Sequence, residues 1–175
     1  MQYGKDFREK LEQGQLIEYS VKEHLQELLP HCEVINTNQE KDSPERDIYH
    51  LCDVVVIDNG KPILGIECKR SQTKFLKCRE LNGWDGDYNT PLNSTSIRKY
   101  MDSEFPFYVL NINQFCHRIF TADIITIMLS RRDRGQVKDS GVIIYNYDSS
   151  TWTCYEGKVG LDLVLTDILK REKLC

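Results

Sequence analysis

Paired cysteines are what this chain most plainly lacks. Its seven cysteines, at positions 32, 52, 68, 78, 116, 154 and 175, are an odd number, and no two of them form a CxxC pair. That spacing supports neither a disulfide framework nor a zinc knuckle, so the thiols read as small apolar residues in a reducing compartment. Histidine is scarce as well. His24, His31, His50 and His117 give no HxxxH pair, and the adjacent couples His31-Cys32 and Cys116-His117 do not easily aim both groups at one ion, which argues against structural zinc. No apolar run approaches the roughly eighteen residues of a membrane span; the densest, Ile124 to Leu129, is far shorter. The N-terminal MQYGKDFREKLEQG has no apolar signal region, so a cytoplasmic protein without membrane contact is expected. Phosphate-cradling glycine patterns are missing too. Without a P-loop, a GxGxxG or a GxSxG, the chain offers no foothold for NTP hydrolysis, a nucleotide cofactor or acyl transfer.

What remains is an ordinary globular composition. The 175 residues are 40% hydrophobic and 10% aromatic, enough for a real core without staples, and no repeat, low-complexity tract or linker divides them. One domain over residues 1–175 is expected. The net charge of −4, taken alone, speaks against nucleic acid as a partner. Its distribution speaks the other way. Between Lys61 and Arg79 the bases Lys61, Lys69, Arg70, Lys74, Lys77 and Arg79 face a single acid, Glu67, and Arg131, Arg132 and Arg134 form a second cluster diluted by Asp133. Such concentrations suit a phosphate backbone, although Lys74 to Arg79 by itself also reads as a solvated helix face.

The first element is an amphipathic helix from about Lys5 to Leu29, ended by Pro30. At 100° per residue Phe7, Leu11, Gly14, Ile17, Val21, Leu25, Leu28 and Leu29 fall within an arc of roughly 120°. Gly14 on that arc suggests close approach of the helix to a sheet. Glu18 lies inside it too, and a carboxylate within an apolar stripe must meet a metal, a cation or good donors to be buried; a salt bridge to a core-edge Lys or Arg serves as well as a metal.

Downstream, two β-branched runs, Leu51 to Asp58 and Lys61 to Lys69, bracket Asn59-Gly60, a strong short-range hairpin signal. Asp53 opens the first run, and Glu67 and Lys69 close the second. Two carboxylates side by side repel unless something positive sits between them, and hard oxygen ligands suit Mg²⁺ or Mn²⁺, so these residues have the makings of a phosphodiester-cleaving metal site. A regular two-residue turn, however, pairs Val54 with Gly65 and Cys52 with Glu67, which points Asp53 to the opposite face. The acids share a face only if the hairpin carries one extra residue, with Gly65 and the Asp58 to Lys61 tip as candidates.

CDVVVID followed by ILGIECKR resembles the PD-(D/E)XK nuclease motif of restriction-endonuclease-like enzymes and archaeal Holliday junction resolvases, with Cys52 standing where the family name has proline. The resemblance covers roughly Gly14 to Lys69, including a helical glutamate at Glu18 that matches one many members carry. It implies an α/β (α+β) fold with a central mixed sheet of four or five strands flanked by helices, followed here by a C-terminal β-hairpin and helix. It further implies Mg²⁺, or Mn²⁺, bound by Asp53, Glu67 and the main-chain carbonyl of Cys68, with Glu18 completing the site and Lys69 acting on water or on the transition state. DNA is the implied substrate, with Arg70, Gln72, Lys74, Lys77, Arg79, Arg131 and Arg132 as backbone contacts and a homodimer as a means of cutting both strands. A non-catalytic nucleic-acid-binding or regulatory module on the same fold is the alternative.

Beyond the motif, Ser71 to Leu81 reads as a polar helix or extended arm and Asn82 to Pro91 as the least regular stretch. Asp85, Asp87 and Asn89 imitate the start of an EF-hand loop, but Thr90 and Ser96 stand where it needs Gly and Glu. Trp84 and Tyr88 read as packed anchors or as base-stacking rings. A short helix is expected over Ser94 to Asp102, a buried strand over Pro106 to Ile112, and a short strand over Arg118 to Thr121 with Thr121 capping a helix from Ala122 to about Arg132. Gly141 to Tyr147 and Thr151 to Tyr155 are expected to form a second hairpin, a candidate dimer surface, before a helix from Leu161 to Lys170.

Overall fold

The computed structural model describes residues 5–37, 52–71, 89–93, 100, 103–113, 118–125, 134–136, 142–146, 153–157 and 159–175. Helix α1 spans Lys5–Leu28. Val21 and Leu25, four residues apart, are buried on its inner face, and Leu29, one residue past its end, is buried with them. A Cβ built on Gly14 meets nothing within 4 Å, so this glycine marks no close approach to the sheet, contrary to expectation. The exit from α1 is held by Gln26, whose Nε2 donates to the Cys32 carbonyl at 2.8 Å and whose Oε1 accepts from the Val34 amide at 3.2 Å.

The strands that follow are β1 (Glu33–Asn36), β2 (Val54–Asp58), β3 (Lys61–Ser71), β4 (Asn89–Asn93), β5 (Phe107–Asn113), β6 (Arg118–Asp123), β7 (Arg134–Gln136), β8 (Val142–Asn146) and β9 (Thr153–Glu156); helix α2 spans Leu161–Arg171. The architecture is α+β. Six strands rather than four or five form the main sheet, in the order β1-β2-β3-β5-β6-β9, and β4-β8-β7 make a second sheet. Pairing is antiparallel except between β3 and β5, which run parallel. A parallel neighbour needs a crossover, and the chain between Ser71 and Phe107 provides it.

Both helices pack on one face of the main sheet. Val21 and Leu25 of α1, Leu29 just after it, and Val164, Leu165 and Ile168 of α2 share a core with Val54 and Val56 of β2, Leu64 and Ile66 of β3, and Tyr108 and Leu110 of β5. Side-chain hydrogen bonds tie α2 and its C-cap to the sheet: the Tyr108 hydroxyl donates to Glu172 Oε1 at 2.5 Å, the Tyr155 hydroxyl to Asp167 Oδ2 at 3.0 Å, and Arg171 Nη2 to Thr153 Oγ1 at 2.9 Å. No helix among the described residues is long and apolar enough to cross a membrane.

Two expectations for the C-terminal half give way. Thr121 caps no helix; β6 continues to Asp123, Thr121 is buried within it, and helical geometry begins only at Ile124. The hairpin expected around Asp148 to Ser150 does not form either. β8 pairs with β4 and β7, while β9 pairs with β6 at the edge of the main sheet, so the proposed dimer surface is not one unit. Partners distant in sequence outcompete the local turn, as is common where strand identity depends on neighbours more than on propensity. Of the helix expected over Ser94 to Asp102, Tyr100 is described and helical.

Candidate active site

The hairpin β2-β3 builds the site. Asn59 and Gly60 both have positive φ, 49° and 74°, the geometry of a two-residue turn that suits the strands' twist. Asp58 pairs with Lys61 and Ile57 with Pro62, but Val56 pairs with Leu64, so Ile63 is an extra residue. This is the odd residue that the shared face requires, lying between the two candidate positions. Beyond it Val54 pairs with Ile66, and continuing by one residue sets Asp53 opposite Glu67. Val54 and Ile66 join the core under the helices. Alternation therefore sends Asp53, Glu67 and Lys69 to the other face together.

Asp53 sits one residue before β2 on a fixed stretch of backbone. The Thr37 amide donates to its carbonyl at 3.1 Å, and the Thr37 hydroxyl donates to the carbonyl of Cys52 at 2.5 Å. Its Oδ2 accepts a 2.8 Å hydrogen bond from the main-chain amide of Cys68. Burial, then the charge of Glu67 and more weakly that of Glu18, push the Asp53 carboxyl up to about 7, against the opposing pull of Lys69 and of the Cys68 amide. Glu18 of α1 is thus near enough for its charge to add to the rise of Asp53.

Glu67 is held at both oxygens. Lys69 Nζ donates to Oε1, and the hydroxyl of Tyr100 donates to Oε2 at 2.5 Å. The glutamate side chain is only 12% exposed and the lysine 35%. Burial alone would lower the Lys69 ammonium, but Glu67 and then Asp53 overcome it and hold the group above the ordinary lysine range. As placed beside Glu67, Lys69 is a charged donor. Burial and the neighbouring Glu67 push Tyr100 up, so its hydroxyl keeps its proton. Tyr100 carried no sequence signal; nothing in RKYMDSEF marks it, and only the tertiary fold brings it to Glu67.

The remaining candidates are placed variously. Cys52 and Cys68 have thiols pushed well up, first by burial and then by the surrounding carboxylates, which leaves them protonated and poor ligands; Cys68 meets the site through its main chain. Arg70 is turned toward α1, where it donates to Gln13 Oε1, and its Nε is buried without a hydrogen-bond partner. Asp58 is at the hairpin tip, accepting from Asn59 Nδ2 at 3.0 Å. Gln72, Lys74, Lys77, Arg79, Trp84, Tyr88, Arg131 and Arg132 lie outside the described residues. Among the described residues, no three His, Cys, Asp or Glu side chains stand close enough as placed to hold a metal ion. The donor set suits one nonetheless: burial first and the charge of Glu67 second push the Asp53 carboxyl up, and a hard divalent cation between the two carboxylates offsets both.

No family model and no curated protein matches the chain. Among solved structures it is similar to D212, a nuclease from a fusselovirus, at 13% identity and a TM-score of 0.53, covering 98% of this chain and 97% of that one. At that identity the likeness establishes the fold, shared along nearly the whole of both chains.

Proposed function

We propose that this protein is a metal-dependent nuclease of PD-(D/E)XK type that hydrolyses DNA phosphodiester bonds. The observation that carries the reading is the bulge at Ile63, which turns Asp53, Glu67 and Lys69 to one face of the sheet. A fold shared with a viral nuclease supports it. Asp53 and Glu67, with the Cys68 carbonyl and Glu18 directly or through water, would hold Mg²⁺ or Mn²⁺, which polarises the scissile phosphate and lowers the pKa of an attacking water. The chain's own residues supply the rest. Lys69, kept protonated by its two acidic neighbours, orients the water or neutralises charge on the pentavalent phosphorus. The basic segment after β3, from Lys74 to Arg79, together with Arg131 and Arg132, would supply positive charge for the DNA backbone, with Gln72 as a polar contact, while Arg70, bonded to Gln13 of α1, would first have to turn outward to join them. Cleavage of both strands needs two sites, which a homodimer supplies.

The test is cleavage of plasmid, single-stranded and branched DNA in Mg²⁺ or Mn²⁺, with and without chelator. Wild-type protein is expected to cut at least one of these in a chelator-sensitive manner, while folded Asp53→Ala, Glu67→Ala and Lys69→Ala proteins do not. DNA retention without cutting on all three substrates would instead make the protein a binding module on this fold.

A further inference from the structure

Resting on the nuclease reading above, we propose that Tyr100 is a positioning residue for Glu67, whose hydroxyl fixes the rotamer in which Glu67 shares a cation with Asp53. The observations begin with the carboxylate's two bonds. Oε1 is bonded to Lys69, a partly exposed cation, and Oε2 to Tyr100, whose residue is only 5% exposed. A carboxylate oxygen has two acceptor positions, so a single donor at each leaves room for an ion on both. The tyrosine hydroxyl is neutral. It fixes direction without competing electrostatically with a bound cation, as a second lysine would.

The hydroxyl is itself held by a stack of rings. Tyr100 lies on Phe107 with centroids 4.8 Å apart and planes inclined by 22°, and Phe105 packs on the same Phe107 ring at 4.7 Å and 34°. Space for Phe107 exists because residue 65 has no side chain: a Cβ there would lie 2.3 Å from Phe107 Cε1 and 3.0 Å from Cys52 Sγ. The Gly65 amide also donates to the Pro106 carbonyl at 2.9 Å, fixing the start of β5 beside it. Gly65, Phe107 and Tyr100 thus form a continuous support from the middle of β3 to the acid two residues further along it. Outer partners of metal ligands commonly change affinity or activity by about 10–100-fold when removed.

Tyr100→Phe keeps the ring stack and removes only the hydroxyl. Calorimetric titration with Mn²⁺ alone is expected to show roughly tenfold weaker binding than wild type, and the Mg²⁺ concentration for half-maximal plasmid cleavage should rise by a similar factor. At saturating metal the cleavage rate should recover, with KM for DNA unchanged, a rescue that a general loss of folding would not give. In metal-free protein, Tyr100→Phe should lower the Tm by a few degrees in the wild-type background but not beside Glu67→Ala. Phe107→Leu, which loosens the stack and leaves the hydroxyl, should weaken Mn²⁺ binding less. Equal Tm shifts in both backgrounds, or unchanged Mn²⁺ affinity in Tyr100→Phe while wild-type protein cuts DNA, would overturn the positioning role and leave the nuclease reading standing. Wild-type protein that neither takes up Mn²⁺ nor cuts would overturn the nuclease reading, and this role with it.

Discussion

The amide of Cys68 donates to the carboxylate of Asp53 across the hairpin, N to Oδ2, at 2.8 Å. The bond ties the residue just before one strand to the far part of the next, and it depends on the register that Ile63 sets. Without the extra residue, Asp53 would face away from Glu67 and Lys69.

Asp53 makes the metal-free protein's stability depend on pH. Its folded-state carboxyl lies at about 7, above the ordinary 3.8, so the folded state holds a proton that the unfolded chain has released. Between about pH 4 and 7 stability should therefore fall as pH rises, by an amount on the order of a few kcal/mol, with the loss complete above pH 7. Urea unfolding in chelator across that range should show the slope in wild-type protein and a flatter profile in Asp53→Asn. A wild-type stability that rises from pH 4 to 7 with no difference from Asp53→Asn would contradict the placement.

Lys69 should act as a cation at every usable pH. Because Glu67 and Asp53 hold it above the ordinary lysine range, this group should add no limb to the pH profile of cleavage at neutral or mildly alkaline pH. A base would need the opposite shift. A pH profile at saturating Mg²⁺ checks this, and a limb near pH 8 that vanishes in Lys69→Arg would speak for proton transfer by the lysine.

Gly65→Ala should be costly for a reason specific to its neighbour. The added methyl falls on the Phe107 ring, so destabilisation of about 1–3 kcal/mol is expected together with reduced cleavage. Gly65→Ala combined with Phe107→Leu should be less destabilised than the sum of the two changes, since the smaller side chain leaves the methyl room. Thermal unfolding of the four proteins settles it; strict additivity would place the clash elsewhere.

The bond from Tyr108 to Glu172 anchors the end of α2 to the sheet. Tyr108→Phe leaves the ring in the core and should cost about 1–2 kcal/mol in chemical unfolding, an effect that largely disappears beside Glu172→Ala.

Much of this was legible in the sequence where local chemistry decides the structure. The apolar arc of α1, the Asn59-Gly60 turn, the strand at Phe107 and the stripe of α2 each follow from periodicity or turn residues, and the need for a bulge followed from counting alternation. Its position did not. Gly65 looks like a bulge residue, yet its missing side chain serves the Phe107 ring, and the extra residue is Ile63, which carries no bulge signature. β4 and β7 were hidden because Asn-Thr-Pro-Leu-Asn and Arg-Gly-Gln lack strand propensity; at the edges of a small sheet, β4 even accommodates Pro91. The Gly141 to Tyr155 region misled because two β-rich runs around Asp-Ser-Ser resemble a hairpin, while their partners lie far away in sequence. Tyr100 was invisible for the same reason: its role is made entirely by tertiary contact.

The bulged hairpin matters because it brings two acids to one cation, and diffraction from crystals soaked in Mn²⁺, collected for its anomalous signal, tests that most directly. The expected result is a single strong peak in contact with the carboxylates of Asp53 and Glu67, absent from crystals of Glu67→Ala. Saturating Mn²⁺ that leaves no peak between these two residues would contradict it.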